Sequence, residues 1–251
     1  MITTFAFLGQ FVDAVQYIFG GETSREGTHV GGSQFLDLTW EHVKLSLVAM
    51  AVACLLAVPV GLWLGHIGKG GFLAINASNV GRAVPSLALI AFFVAYFGVG
   101  FTNVTVALVL LAIPPILTNA YVGVRQVDRD TVNSARGMGM TGTQIVRRVE
   151  LPLALPLIFG GIRTSAVNVV ATATIAPLAG VTTLGDPIIN VSGYGETGRL
   201  AAAMVVAALA VFTELSLGAI QRVVTPEGLK LESDQASRRR VPLITRRQAA
   251  T

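Results

Sequence analysis

Long apolar stretches alternate with short polar ones on a scale of roughly twenty residues. Five stretches stand out, at 43–65, 72–97, 103–123, 152–178 and 200–221. At 1.5 Å of rise per residue, each crosses the roughly 30 Å of hydrocarbon in a bilayer as an α-helix. The two-residue alternation of a membrane β-barrel is missing, so the predicted elements are helices. Pro85 breaks the second stretch, while Pro114 and Pro115 lie inside the third, and a break or kink is predicted at each. Gly61 and Gly65, four apart in the first stretch, predict a close helix contact, inside the subunit in preference to between subunits.

The polar segments differ from one another. FAFLGQFVDAVQYIF, at 5–19, reads as an amphipathic helix lying at the membrane interface. It lacks the basic start of a cleaved signal, and Asp13 interrupts its apolar run. Residues 21–34 form a glycine-rich linker. The segment 179–199 is rich in Gly and polar residues and predicts turns with a short helix over 186–191. From about 224 onward the chain is a basic tail expected to lie near anionic headgroups. The expected organisation is an N-terminal arm over 1–41, a transmembrane domain over 42–223 and a tail over 224–251.

Composition makes the membrane reading firm. Of 251 residues, 53% are hydrophobic and only 13% charged, with a mean hydropathy of +0.67. Soluble domains carry about 25% charged residues, so this chain has too few to cover a water-facing surface. The fold class expected is therefore an all-α integral membrane protein. The high pI, about 9.6, reads as a topology signal and not as nucleic-acid binding. With 133–152 in the cytoplasm, Lys69, Arg125, Arg136, Arg147, Arg148, Arg222 and the basic tail lie inside. Only Arg25, Lys44 and Arg199 lie outside, with Arg163 within a span. That bias predicts an external N-terminus and a cytoplasmic C-terminus, as five spans require.

Residues 128–152 are the polar, glycine-punctuated exception between two apolar runs. Asp128 or Asp130 caps a predicted helix over 131–139, and Gly139 ends it. Thr141 caps a second over 142–149, after which Leu151-Pro152 turns the chain into the fourth span. Ser134, Ala135, Gly137 and Gly139 are small enough for a partner to approach the backbone, and Met138 and Met140 offer flexible apolar contacts.

The spacing in this segment resembles the EAA motif of ABC-importer permeases. That motif runs Glu-Ala-Ala, three residues, Gly, nine residues, Ile, one residue, Leu-Pro. Here the matching positions are Asn133, Ser134, Ala135, Gly139, Val149, Leu151 and Pro152. Asn133 removes the usual charge, and Ser134 and Val149 are mild departures. RAVPSLALIAFFVAYFGVG at 82–100 and ARGMGMTGTQIVRRVELPLALPLIFGGIRTSAV at 135–167 extend the likeness. These are similar to the osmoprotectant branch, as are ATATIAPLAG and LGDPI. Over about residues 40–222 the resemblance implies a permease for glycine betaine, choline, carnitine or proline. It implies a MetI-like core of five helices with a cytoplasmic coupling helix, in the bacterial cytoplasmic membrane. The implied partners are a dimer of ABC ATPase subunits, a second permease subunit and an extracytoplasmic substrate-binding protein. No cofactor is expected in this chain, and no catalysis. An amino-acid permease, or an ATP-independent carrier, is the alternative. Carriers are usually built from two related bundles, and no internal repeat is visible.

Other signals are weaker. Gly137/Gly139/Gly142 and Gly193/Gly195/Gly198 match G-x-G-x-x-G, but neither follows a strand, which a dinucleotide site requires. His29, His42 and His66 show no metal-ligand spacing, so no metal is expected. Cys54, the single cysteine, reads as a small hydrophobe. No HExxH sequence or nucleophile elbow is present to support a membrane enzyme. Pro85, Ser86, Phe92, Phe93, Tyr96 and Thr172 are candidates for the translocation path, the aromatic rings being able to face a quaternary ammonium. Arg163 and Glu214 lie at depths that differ by about 4–5 Å and are expected to pair, since an isolated charge there is costly.

Overall fold

A computed structural model describes residues 2–20, 22–23, 29–30, 32–72, 76, 81 and 83–225. The basic tail beyond 225, half of the 21–34 linker, and much of the second predicted span before Pro85 lie outside the described residues. Among the described residues, four helical runs are long and apolar enough to cross a membrane. They are α2 (Ser33–Ile67), α4 (Phe101–Arg125), the run Gly142–Ala179, and α9 (Val191–Val224). A shorter apolar helix, α3 (Ser86–Phe97), follows Pro85, where the backbone leaves helical geometry. Before the core come α1 (Ile2–Gly20) and a two-residue antiparallel ladder pairing Glu22 with Val30 and Thr23 with His29.

α4 is the hub. One face of it meets α2, where small residues allow close approach. A Cβ on Gly61 would stand 2.6 Å from the Ala120 Cβ, and one on Gly65 2.7 Å from the Val124 Cβ. Lipid tails are as apolar as leucine, so helix association here draws on close packing and not on the expulsion of water. The glycine pair therefore packs inside the subunit. α7 (Leu151–Thr172) also packs on α4, and Ser165 Oγ donates to the Ala112 carbonyl at 2.9 Å. The main apolar core runs through Leu45, Ala49 and Ala53 of α2, Leu108 and Ile116 of α4, and Val169 of α7.

Several boundaries differ from the sequence expectation. α2 starts at Ser33, ten residues before the predicted span, and carries an exposed Lys44–Glu41 ion pair one turn apart. Pro114 and Pro115 do not interrupt α4. The Asn119 amide donates to the Pro115 carbonyl at 2.8 Å, one turn back on the same helix. After Thr172 the chain tightens into a 3₁₀ turn over Ala173–Ala179. His42 Nε2 donates to the Val170 carbonyl at 3.0 Å. A five-residue helix, α8 (Gly185–Ile189), precedes α9, which bends at Gly195.

The N-terminal helix packs against α2 and α9. Ala14 and Tyr17 are buried against Phe35 and Leu38 of α2, Leu184, and Ala201 and Ala202 of α9. The Tyr17 hydroxyl donates to the Tyr194 carbonyl at 3.4 Å. Phe11, Val12 and Phe19 remain exposed. Beside this contact, the Tyr194 hydroxyl donates to Asp186 Oδ2 at 2.7 Å.

Candidate coupling surface and translocation face

The polar segment after α4 forms a compact unit. Asp128 Oδ1 accepts from the Asp130 N–H at 3.0 Å and caps α5 (Arg129–Gly137). Gly139, with φ of 84°, occupies the left-handed position that ends it. The Gly139 N–H donates to the Arg136 carbonyl and the Met140 N–H to the Ala135 carbonyl, which is the paired bonding of a glycine-terminated helix. Thr141 then caps α6 (Gly142–Ile145) reciprocally: its hydroxyl accepts from the Gln144 N–H, and the Gln144 side chain accepts from the Thr141 N–H at 2.8 Å.

The second helix was expected to run over 142–149 and to end in a turn at Leu151-Pro152. Instead the chain passes through a π-helical turn, Val146–Glu150, straight into α7. The Leu151 N–H reaches back five residues to the Val146 carbonyl. A widened turn gives the Pro152 ring room where a normal α-turn would crowd it against the carbonyl four residues earlier.

The coupling candidates separate into two sets. Asn133, Ser134, Gly137, Met138 and Gly139 are exposed, Met138 at 73%. Ala135 points inward and is buried with Val127, Val132 and Ile145, and Met140 packs on the same cluster. Ala135 and Met140 therefore hold the segment together and are not part of its free surface. The reason is helical spacing: Val132 and Ala135, three apart, share the face that meets α6.

The path candidates also separate. Ser86 and Thr172 line one cavity of about 180 Å³ with Asn168, Pro115 and Leu111, and Pro85 is exposed next to Ser86. The side chains of Ser86, Asn168 and Thr172 make no hydrogen bond to other described residues. Thr164, Asn168 and Thr172 recur every four residues and so form one polar stripe along α7. Phe92 and Tyr96 form a mostly exposed pair with ring centroids 4.7 Å apart. Phe93 instead stacks on Phe97 at 5.5 Å and packs against the core.

Arg163 of α7 and Glu214 of α9 meet. Arg163 Nε donates to Glu214 Oε1 at 2.6 Å, and Nη2 contacts the same oxygen. The pair is about 40% exposed and lines an open cavity of about 1120 Å³ with Gln126, Asp128, Gly218 and Arg222. Among the described residues, no cluster of His, Cys, Asp and Glu could hold a metal.

One polar contact was not anticipated from the sequence. His66, at the end of α2, donates from Nδ1 to Glu150 Oε2 at 2.7 Å. Glu150 is 1% exposed. The available signal was an acidic residue two positions before Pro152, at the mouth of an apolar span, where a carboxylate needs a partner.

The chain matches the family described as "Binding-protein-dependent transport system inner membrane component" over residues 57–226. It is 38% identical over 200 residues to the glycine betaine/carnitine/choline transport system permease protein of Bacillus subtilis, covering 79% of this chain and 92% of that one. It is 39% identical, with the same coverage, to the choline transport system permease protein of that organism and to a carnitine transport permease protein of Listeria monocytogenes. Among solved structures, the inward-facing MetNI methionine ABC transporter superposes with a TM-score of 0.64 at 23% identity, covering 76% of this chain and 96% of that chain. An amino acid ABC transporter solved with histidines gives a TM-score of 0.60 at 20% identity, over 75% and 92%. These two establish the shared fold. The chain thus belongs to the inner-membrane components of binding-protein-dependent transport systems.

Proposed function

We propose that this chain is the solute-conducting permease of an ATP-driven importer for small quaternary-ammonium solutes such as glycine betaine, choline and carnitine. Relatives whose names carry those solutes match it across 92% of their own length, and this supports the reading most. A separate ABC ATPase docks on the exposed face of α5, at Asn133, Ser134, Gly137, Met138 and Gly139. A second permease subunit completes the path, and an extracytoplasmic binding protein delivers the solute. The Lys and Arg bias sets the coupling segment and C-terminus in the cytoplasm and the N-terminal arm outside. The chain supplies no catalytic group of its own.

The path runs along the polar stripe of α7. Unpaired polar side chains facing lipid are costly, so Asn168 and Thr172 face water, solute or the second subunit. With Ser86 they offer hydroxyl and amide groups to the polar end of a solute. The Phe92–Tyr96 pair offers ring faces to its cationic end.

The test is uptake of labelled glycine betaine by vesicles that contain this chain, its ATPase and its binding protein. Uptake requires ATP. Gly139→Asp lowers it about tenfold or more, equivalent to about 1.4 kcal/mol of lost contact, while the chain stays in the membrane. Asp tolerates the left-handed backbone better than most residues, so the turn survives and the docking face changes. Uptake indifferent to ATP would overturn the importer reading. ATP-driven uptake of an amino acid but not of betaine would keep the importer and discard the solute class.

A further inference from the structure

The geometry points to the His66–Glu150 pair as the latch that makes α2 follow the coupling segment. The inference rests on the docking of an ATPase on α5, as proposed above. The two residues are 84 positions apart and join the end of α2 to the π-helical turn that follows α6.

Three features place the pair on the route of force. First, Glu150 lies between two apolar clusters in sequence and in space. Val149 packs with the coupling segment's cluster, and Leu151 packs with Val58 and Leu62 of α2, Ala120 and Val124 of α4, and Ala154 and Ile158 of α7. Second, His66 also sits against α6: a Cβ on Gly142 would stand 3.2 Å from its Nε2. One imidazole therefore touches the first turn of α6 and the last residue of the π-turn. Third, α2 and α4 are interlocked through Gly61 and Gly65, so whatever moves the end of α2 moves α4 with it.

Without the pair, a push on α5 and α6 reaches α7 along the chain but reaches α2 only through apolar contacts that can slide. π-Turns often mark functional positions in helices, and this one carries a widened, less regular bonding pattern. A directional bond across it fixes the turn to α2. The buried carboxylate would otherwise stand unpaired, which explains why an acidic residue is present at a site with 1% exposure. His66 and Glu150 are positioning residues: neither is placed on the solute path or on the docking face.

The experiment uses the complete complex in proteoliposomes and measures solute moved per ATP hydrolysed. The variants are H66A, E150A, the double H66A/E150A, and E150Q. Each single alanine change lowers the transport-to-ATP ratio about fivefold or more, while ATPase activity stimulated by the loaded binding protein changes by less than about twofold. The double variant couples no worse than either single one, because both remove the same bond and the double leaves no orphaned carboxylate. E150Q retains a carbonyl that accepts from Nδ1 and restores most of the ratio. If transport and ATPase activity fall together in the double variant at unchanged membrane abundance, the pair is structural and the latch is refuted. Unchanged ratios in all variants refute it as well. The wild-type control separates this failure from the other: if wild-type uptake needs no ATP, the importer reading itself falls.

Discussion

The coupling segment and the polar notch beside α3 are built on opposite plans. In the segment every helix end is closed: Asp128 caps α5, Gly139 terminates it, and Thr141 and Gln144 cap α6 reciprocally. Its apolar residues other than Met138 meet in a cluster of Val127, Val132, Ala135 and Ile145, on which Leu153 of α7 also packs. In the notch, Ser86, Asn168 and Thr172 line a cavity and bond to no other described side chain or backbone group. A surface that must transmit a push needs its backbone satisfied internally, so that load does not unravel it. A surface that must pass a polar solute needs the reverse, with groups left free to exchange partners. The first region is thus closed on itself, and the second keeps polar groups open to partners.

Changes that reverse these assignments test the contrast. The largest effect is expected from Val132→Asp, which buries a carboxylate with no partner in the segment's cluster. A penalty of about 3 kcal/mol or more follows. The variant should stay in the membrane, since the spans are untouched, but fail to retain the ATPase in detergent pull-down. Retention at the wild-type level would show that the cluster is dispensable. A middle-sized and opposite result is expected from Asn168→Leu in the notch. Thermal stability of the detergent-solubilised subunit should hold or rise, because an unpaired amide is replaced by an apolar group of similar size. Uptake should fall about tenfold, roughly 1.4 kcal/mol in the transport barrier. Lower stability with normal uptake would make Asn168 a packing residue and remove the stripe from the path.

The two regions were also unequally legible in the sequence. The coupling segment's helices follow from neighbours within a few positions: an Asp and a Thr ahead of each helix, a Gly behind the first, and Val132 and Ala135 on one face. Long apolar runs likewise announced the spans, with ends off by up to ten residues because a membrane helix can extend past the hydrocarbon, as α2 does from Ser33. What depended on distant partners was hidden. His66 and Glu150 meet across 84 positions, and although a carboxylate at the mouth of an apolar span needs a partner, nothing local points to His66 as that partner. α4 also runs unbroken through Pro114 and Pro115 while packed between α2 and α7, and periodicity cannot show those neighbours. The inward turn of Ala135 and Met140 was missed because small and flexible residues suit a docking face and a core equally.

The smallest effect sharpens the comparison most. Thr141→Ala removes one half of the capping box while leaving Gln144 in place. The Gln144 N–H then loses its acceptor, at a penalty of about 1 kcal/mol. Because α6 has only four residues, the loss falls on a helix with no reserve. Amide exchange at residues 142–145 should quicken about fivefold, the kinetic equivalent of that penalty under local opening. Uptake should fall only about twofold, because the π-turn and α7 still hold Ile145 in its cluster. Thr141→Ser keeps an acceptor oxygen in place and should return both readouts to the wild-type level. Thr172→Ala is the matched change in the notch: it also deletes a hydroxyl, but one that holds no backbone group. It should leave amide exchange along α7 unaltered and act on uptake alone. If the two threonine changes gave the same pattern, the division between a region that carries load and a region that carries solute would not stand.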